Sequence, residues 1–285
     1  MSKPTLSKPT LSKPSIAFIG AGNMANSIIG GLVAKGFAAG SIIASDPYPE
    51  SLATLRKVAQ VRTTDNNHDA IADADVVVLA VKPQVMKSIL EDLAPAAQHH
   101  KPLFISIAAG IESRSLDKWL GGKMAIVRCM PNTPALVQTS ATALFANSLV
   151  SKQQRQLADQ ILHAVGIALW VSDEKQLDAV TAVSGSGPAY FFLVMEAMQA
   201  AGEQLGLSAD VAKQLTLQTA LGAAQMAIAS DVDTAELRRR VTSPGGTTEE
   251  AIKVFEQEGL QELFNKALTA CRDRSEELAK LMDEE

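Results

Sequence analysis

A glycine-rich turn near the start of the chain has the composition and spacing of a phosphate-binding loop. Residues 20–25 read Gly-Ala-Gly-Asn-Met-Ala and directly follow the apolar segment 15–19. The first glycine permits a tight turn, the second lets a diphosphate approach the backbone, and the small last residue lets a helix pack on the strand. The free N–H groups of that helix favour an anion. The turn therefore predicts dinucleotide binding.

An acidic residue follows the second apolar segment of the chain. Asp46 ends the segment 41–45 and stands after Ser45. A carboxylate at this place of a dinucleotide-binding fold can accept a hydrogen bond from the ribose 2′-hydroxyl of NAD and would repel a 2′-phosphate. Asp46 can equally cap the next helix. The sequence leaves both interpretations open.

Several catalytic chemistries lack their residues in this sequence. Neither Tyr48 nor Tyr190 has a lysine four positions later, so a Tyr–Lys proton relay is absent. The histidines stand outside the glycine- and proline-rich segments; they are residues 68, 99, 100 and 163. With Cys129 and Cys271 they give no zinc spacing, so we predict no metal site. Two thiols form no disulfide framework, which favours a reducing compartment, and we predict a cytoplasmic protein.

The elements that must position these residues alternate in the first half of the chain. Apolar, β-branched segments predict strands at 15–19, 41–45, 75–80, 103–107 and 124–127, with helical segments such as 24–35 and 50–58 between them. Alternating strands and helices indicate a parallel sheet. From about residue 174 only helical segments follow, at 189–206, 209–229, 248–257 and 260–282.

These patterns predict an α/β protein with a Rossmann-like doubly wound sheet, followed by an all-α C-terminal domain. We place the dinucleotide-binding domain at 15–173 and the helical substrate and dimerisation domain at 174–285. Residues 1–14 repeat the unit Ser-Lys-Pro-Thr-Leu and lack apolar periodicity, which predicts a flexible tail.

Composition excludes two further classes of partner. The chain has 285 residues, a formal net charge of −5 and only 4% aromatic residues. These values argue against a basic nucleic-acid surface and against aromatic stacking on single strands. No continuous apolar run approaches the roughly 20 residues that span a bilayer. We therefore expect a small-molecule substrate, no nucleic acid and no membrane.

Small and polar segments recur where the predicted strands end, which is where parallel sheets bind ligands. They are Val81-Lys82-Pro83, Ala108-Ala109-Gly110 and the segment 128–134. The helical half adds two more, at 184–190 and 243–248. Each could be a capping turn by itself, but five of them in one chain are hard to explain in that way.

The ordered set of these motifs resembles the pyrroline-5-carboxylate reductase family. The motifs are GAGNMA, AVKP, SIAAG, MPNTP, SGSGPAYF and SPGGTT, and the resemblance covers about residues 15–280. It implies an oxidoreductase that uses NADPH or NADH to reduce the cyclic imine 1-pyrroline-5-carboxylate to L-proline, the last step of proline biosynthesis. It also implies a homodimer or a higher homo-oligomer, such as a decamer, assembled through the helical domain.

The resemblance also implies site residues where the motifs coincide. Cofactor-binding positions are Ile19, Gly20, Ala21, Gly22, Asn23, Met24, Ser45, Asp46, Asn66 or Asn67, Ala80, Val81, Lys82, Pro83, Ile107, Ala108 and Ala109. Substrate-binding positions are Glu174, Ser184, Gly245, Gly246, Thr247 and Thr248. Asp46 departs from the family members that favour NADPH, which usually carry a small polar residue there, so the preference between NADPH and NADH stays open.

The chemistry of a cyclic imine fits a chain without a histidine or Tyr–Lys relay. A protonated imine accepts hydride without a strong protein acid, so positioning and electrostatics are the main tasks. We predict that the loop 243–248 and its helix N-terminus bind the substrate carboxylate. Thr248 is the candidate catalytic hydroxyl, unless it caps the helix, and Glu174 is a candidate partner of the iminium charge, unless it lies on a solvated face. Lys82 is assigned a positioning role.

Two other functions are compatible with a two-domain plan of this kind. A 3-hydroxyacid dehydrogenase normally carries a lysine on the helix after a glycine-rich segment, and residues 189–205 contain no lysine. A non-catalytic NAD(P)-sensing protein would not need the intact loop 243–248. Both therefore rank below the reductase.

Overall fold

Eight strands form a single sheet in the computed structural model, which describes residues 14–284. The strands are β1 Ile16–Ile19, β2 Ile42–Ser45, β3 Arg62–Thr64, β4 Val76–Leu79, β5 Leu103–Ser106, β6 Ile126–Met130, β7 Ser140–Ala146 and β8 Gly166–Trp170. Their order across the sheet is β3-β2-β1-β4-β5-β6-β7-β8. The tail predicted over 1–14 lies outside the described residues except for Pro14.

Strands β1 to β6 are parallel, β7 runs antiparallel to β6, and β8 is parallel to β7. The sequence missed β7 and β8, and its pattern did not show β3. Polar and small residues fill much of β7 and β3, and every second side chain of β8 is exposed, so none of the three shows the continuous apolar run of a strand buried on both faces.

Helices cover both faces of this sheet. In the first part of the chain they are α1 Asn23–Ala34, α2 Pro49–Val58, α3 Asn67–Ile71, α4 Pro83–His100, α5 Ser113–Trp119, α6 Lys152–Leu162 and α7 Gln176–Val180. Alternate residues of the central strands enter separate apolar cores, with Ile16 and Phe18 in one and Ala17 and Ile19 in the other. The predicted α/β class, with its doubly wound sheet, is confirmed.

The remaining elements are helical, as the sequence predicted. A π-helical turn at Thr181–Gly185 leads into α8 Gly187–Gln204, α9 Ala209–Ala229, α10 Thr234–Arg240, α11 Thr247–Gln257 and α12 Leu260–Glu284. The sequence missed the short helix α10. It begins with Asp233 as N-cap, whose side chain accepts a hydrogen bond from the Glu236 N–H group.

The described chain divides into two compact units. The first unit comprises 14–185 together with 272–284, and the second comprises 186–271. Residues 174–185 join the first unit because Leu177 and Ala182 are buried there. The end of α12 joins it as well, since the buried Ser275 hydroxyl donates to an Asp178 carboxylate oxygen at 2.7 Å. The division at residue 174 remains a prediction about function.

One helical stretch among the described residues, 176–204, is long and apolar enough to cross a membrane by length and composition alone. A single stretch of this kind is weak support for a membrane protein. It includes α8, whose exposed side chains include Phe191, Phe192 and Leu193.

Candidate active site

The carboxyl ends of three adjacent central strands bring the predicted cofactor segments together. The Ala80 N–H group donates to the Ile19 carbonyl at 2.8 Å, and the Ile107 N–H group donates to the Leu79 carbonyl at 3.1 Å. The segments after β1, β4 and β5 therefore lie side by side. This is the edge at which parallel α/β sheets bind ligands.

The glycine turn after β1 is shaped by close backbone packing. Gly20 has φ +100°, and a Cβ atom added there would lie 2.7 Å from the Ala80 carbonyl oxygen. Only glycine adopts that backbone and fits that space. The Gly20 N–H group also donates to the Ser45 carbonyl at 2.7 Å, which ties the turn to β2.

The start of α1 leaves backbone donors for an anion. Gly22 is the N-cap of α1 and supplies no side-chain hydrogen bond, and a Cβ atom at Gly22 would meet no described atom within 4 Å. The first intrahelical bond begins only at the Asn26 N–H group. The N–H groups of Asn23, Met24 and Ala25 therefore have no helical acceptor. This opening fits a pyrophosphate.

Asp46 braces the glycine turn. One carboxylate oxygen accepts a hydrogen bond from the Ala21 N–H group at 2.8 Å, and the other accepts from the Tyr48 N–H group at 2.9 Å. The side chain is 8% exposed. The capping interpretation of Asp46 is wrong, because Tyr48 is the N-cap of α2. Each oxygen retains a lone pair, so the ribose interpretation remains a prediction.

The two asparagines after β3 have different partners. The Asn66 side-chain oxygen accepts from the His68 N–H group and caps α3. The Asn67 side-chain oxygen accepts the Ser45 hydroxyl at 2.7 Å. Asn67 is thereby attached to the end of β2, next to the glycine turn.

A second helix N-terminus lies in the predicted cofactor segment after β4. Lys82 is the N-cap of α4, without a side-chain capping bond, and Pro83 opens the helix. Proline suits this position because it has no N–H group to leave unpaired. Lys82 is exposed, whereas Ala80 and Val81 are half-buried.

Glu174 lies in a cluster within the first unit that sequence reasoning missed. Its carboxylate accepts from the Ser113 N–H group at 2.6 Å, from the Ser113 hydroxyl at 2.6 Å and from the Arg128 guanidinium at 2.7 Å. Glu174 is 19% exposed at its side chain, so the solvated-face alternative is wrong. Its partners stand 61 and 46 residues away in the sequence, where spacing gives no signal.

Asn132 in the segment after β6 holds the π-helical turn. Its side-chain nitrogen donates to the Ser184 carbonyl at 2.9 Å, and its side-chain oxygen accepts from Ser140 and from the Ala141 N–H group. The Ser184 carbonyl needs this partner because Pro188, four residues later, has no N–H group. The Ser184 hydroxyl donates to the Val180 carbonyl and so faces its own helix.

The loop 243–248 precedes α11 in the second unit. The Gly245 N–H group donates to a Glu249 carboxylate oxygen at 2.7 Å, and the Gly246 N–H group donates to the Ser243 carbonyl at 3.0 Å. The hydrogen bond from Gly245 lowers the pKa of Glu249, and Lys253 lowers it further. Both glycine amides are thus already paired, Gly245 with a side chain of α11 and Gly246 with a carbonyl of the loop.

The first turn of α11 supplies the donors that the loop glycines lack. Gly246 is the N-cap and has no side chain, so the capping interpretation of Thr248 is wrong. The N–H groups of Thr247, Thr248 and Glu249 have no acceptor within the helix. Among the described residues, no partner is found for the hydroxyls of Thr247 and Thr248. Amides and hydroxyls together suit a carboxylate.

Two family models match the chain. A model described as pyrroline-5-carboxylate reductase dimerisation matches residues 174–278. A model described as NADP oxidoreductase, coenzyme F420-dependent, matches residues 15–110.

Similar proteins and structures cover nearly the whole chain. The pyrroline-5-carboxylate reductase of Pseudomonas aeruginosa is 59% identical over 93% of this chain and 97% of its own length. That of Haemophilus influenzae is 44% identical over 93% and 98%. The structure of the Coxiella burnetii reductase matches with a TM-score of 0.91, 48% identity, and 94% and 99% coverage.

The chain belongs to the pyrroline-5-carboxylate reductase family. A more distant structure, the Plasmodium falciparum pyrroline carboxylate reductase with NADP bound, matches with a TM-score of 0.82, 28% identity, and coverage of 93% of this chain and 98% of that chain.

Membership of the pyrroline-5-carboxylate reductase family confirms the enzyme class, the imine-reducing activity in proline biosynthesis and the nicotinamide cofactor that the sequence predicted. It ranks the reductase above the 3-hydroxyacid dehydrogenase and the NAD(P)-sensing protein. Family membership also confirms a small-molecule substrate, and the dimerisation domain confirms a homo-oligomer.

Proposed function

We propose that this chain uses two glycine-hinged helix N-termini, one in each unit, to bind its two ligands for the reduction of 1-pyrroline-5-carboxylate to L-proline. The α1 N-terminus holds the cofactor diphosphate, and the α11 N-terminus holds the substrate carboxylate. The observation that carries this proposal is that both helices begin at a glycine N-cap without a side-chain hydrogen bond. Both starts are therefore open to an external anion.

The cofactor residues form one continuous edge of the sheet. Residues 19–24 receive the diphosphate, residues 80–83 form the adjoining wall, and residues 107–109 lie under the nicotinamide. Asn67 is the asparagine that reaches the cofactor, because its bond to Ser45 places it beside the glycine turn. When bound, the reduced nicotinamide supplies the hydride.

Thr247 and Thr248 orient the substrate. Their N–H groups and hydroxyls hold the carboxylate, and the Thr248 hydroxyl lies nearest the ring nitrogen, where it keeps the imine proton in place. This assignment is supported by the free first turn of α11 and by the absence of partners for both hydroxyls in the described part of the chain.

Oxidation of NADPH or NADH by the wild-type protein in the presence of the imine tests the function. Thr248→Ala should lower kcat/KM for the imine about tenfold or more, since a positioned donor is lost. Thr242→Ala is the matched control, because the Thr242 hydroxyl already donates to the Arg238 carbonyl. If the kcat/KM of Thr248→Ala stays within about twofold of the wild type, as we expect for Thr242→Ala, the Thr248 hydroxyl does not position the imine.

Asp46 biases the cofactor choice toward NADH. A buried carboxylate next to the ribose repels a 2′-phosphate. Asp46→Ser should raise the NADPH-to-NADH ratio of kcat/KM, while binding of both cofactors weakens because the Ala21 N–H group loses its carboxylate acceptor. Glu91→Ser removes an exposed carboxylate of α4, outside the cofactor segments, and serves as the control. An unchanged ratio would leave Asp46 with a bracing role alone.

The oligomeric state and the cellular location complete the proposal. We propose a cytoplasmic homo-oligomer, with a decamer as its largest form, and no membrane association of the stretch 176–204. The functional division falls near residue 174, where the dimerisation model begins. Light scattering on the purified chain gives the oligomer mass, and a mass outside dimer to decamer would contradict the proposal.

A further inference from the structure

The carboxylate of Glu174 caps a helix that starts far away in the sequence. Ser113 is the first residue of α5, and the N-cap Glu112 makes no side-chain capping bond. Glu174 instead accepts from the Ser113 N–H group and the Ser113 hydroxyl, each at 2.6 Å. Helix N-termini favour a negative group, so this contact fixes the start of α5.

Arg128 fixes the same carboxylate from the sheet. Arg128 lies on β6, is 7% exposed and donates to Glu174 at 2.7 Å. Glu174 is thus held by a buried strand and by the start of α5 at once. Without this carboxylate, Arg128 would be a buried charge with no counter-charge. Loss of the Glu174–Arg128 pair should therefore be strongly destabilising.

The segment between β5 and α5 is short. Strand β5 ends at Ser106 and α5 begins at Ser113, so the loop 107–111 is anchored by the sheet at one end and by Glu174 at the other. Gly110 within this loop has φ +76° and lies against α12, where an added Cβ atom would be 3.8 Å from the Ala279 nitrogen. The loop is the segment that the proposed function places under the nicotinamide.

We propose that Glu174 is a positioning residue that fixes the loop 107–111 and thereby the nicotinamide, rather than a substrate ligand. This inference rests on the proposed cofactor edge. The Glu174 carboxylate accepts three hydrogen bonds, two from Ser113 and one from Arg128. Both of its oxygens are therefore already paired within the first unit. An amide at residue 174 would turn an N–H group toward one of these donors and leave Arg128 without its counter-charge.

The test compares Glu174→Gln and Ser113→Ala with the wild-type protein. We expect Glu174→Gln to weaken NAD(P)H binding about fivefold or more and to lower kcat, while KM for the imine stays within about twofold. Ser113→Ala keeps the ion pair and should shift the same two quantities by a smaller factor. Because both variants act on the same contact, that between the Ser113 hydroxyl and the Glu174 carboxylate, the effects of the two changes should be less than additive in the double variant.

Asp173→Asn is the matched control for the loss of charge. Asp173 is the exposed neighbour of Glu174, and its carboxylate accepts from the nearby Lys175 N–H group. It should leave cofactor binding and kcat within about twofold of the wild type. Cofactor affinity is read from nicotinamide fluorescence on the intact oligomer, and folding from circular dichroism.

Two results would overturn the inference. A rise in KM for the imine with unchanged NAD(P)H affinity would make Glu174 a substrate ligand, and unchanged values in both variants would give it no role. If Glu174→Gln does not fold, Ser113→Ala decides by the same criteria. A wild-type protein that does not oxidise NAD(P)H with the imine would refute the proposed function instead, and NAD(P)H binding alone would still test the role of Glu174.

Discussion

The two units differ in where their apolar side chains lie. In the first unit, every residue of β1, β4 and β5 is buried. In the second unit, Gly187 alone is buried among the described residues of α8, and Phe191, Phe192 and Leu193 are each about two-thirds exposed. Phe18, which is fully buried, is typical of the first unit, and Phe192, which is exposed, is typical of α8 in the second unit.

The first unit buries its apolar side chains by its own contacts, whereas the second unit leaves many of them exposed. Helices packed on both faces of the sheet remove its apolar residues from water within one chain. The apolar helices of the second unit leave a large exposed surface in one chain, and surfaces of that kind mark interaction sites. Residues 174–278 match a dimerisation domain, so we expect a second copy of the chain to cover this surface.

Truncation of one phenylalanine in each unit should have the largest effect on stability. Phe18→Ala should lower the free energy of unfolding by about 3–5 kcal/mol, independent of protein concentration, because it leaves a cavity in a closed core. Phe192→Ala should destabilise more strongly as the protein is diluted, since its loss acts on association. Thermal unfolding at two protein concentrations measures both. An equal effect of Phe192→Ala at both concentrations would contradict the comparison.

The two cysteine thiols differ in burial, and this difference should appear in their reactivity. Burial raises the pKa of the Cys129 thiol, whereas Cys271 is only partly buried. Because the thiolate is the reactive form, Cys129 in a Cys271→Ser background should react with iodoacetamide roughly a thousandfold more slowly in the folded protein than in urea. Similar rates in both conditions would show that the sheet core opens readily. Cys129→Ser, which retains Cys271, is the control.

Alanine at the two glycines of the cofactor turn separates packing from binding. Gly20→Ala places a Cβ atom against the Ala80 carbonyl, so it should weaken NAD(P)H binding roughly a hundredfold and lower Tm. The added methyl group of Gly22→Ala meets no described atom, so Tm should be unchanged. The methyl group would occupy the space proposed for the diphosphate, so it should weaken NAD(P)H binding roughly tenfold. Calorimetry with and without cofactor measures both. Equal losses of Tm would refute the separation.

We expect the smallest of these effects at the loop 243–248, to which the proposed function assigns the substrate carboxylate. Glu249→Ala removes the acceptor of the Gly245 N–H group and should raise KM for the imine about two- to fivefold, whereas Glu250→Ala should not. The pKa of Glu249 is lowered from 4.5, so its contribution is present at and above that pH and is lost only as the pH falls through the depressed value. The KM gap between Glu249→Ala and wild type should therefore persist across neutral pH. A gap that closes as the pH rises through neutrality would contradict this sign.

Much of the fold could be predicted because its signals are local. The continuous apolar run of β4 and the glycine turn before α1 are readable within a few residues. Strand β7 has no such run, because it lies near the edge of the sheet and mixes small and polar residues. Short elements such as α10 are likewise invisible to periodicity.

The site divides in the same way. The glycine turn 20–25 and the loop 243–248 were predicted as binding segments from glycine spacing and from the order of the motifs. Asn132 and Arg128 were missed as site residues because their partners, Ser184 and Glu174, are 52 and 46 residues distant. A buried charge or amide has no sequence pattern of its own, since its partner is chosen by the fold.

The class of sheet, the two glycine-hinged helix starts and the family could all be inferred from the sequence, because each rests on residues that are adjacent in the chain. Tertiary structure alone decided that Asp46 braces the glycine turn and that Glu174 caps α5 while it pairs with Arg128. The physical reason is that a carboxylate accepts hydrogen bonds from whichever donors the folded backbone brings within about 3 Å, whatever their separation in the sequence.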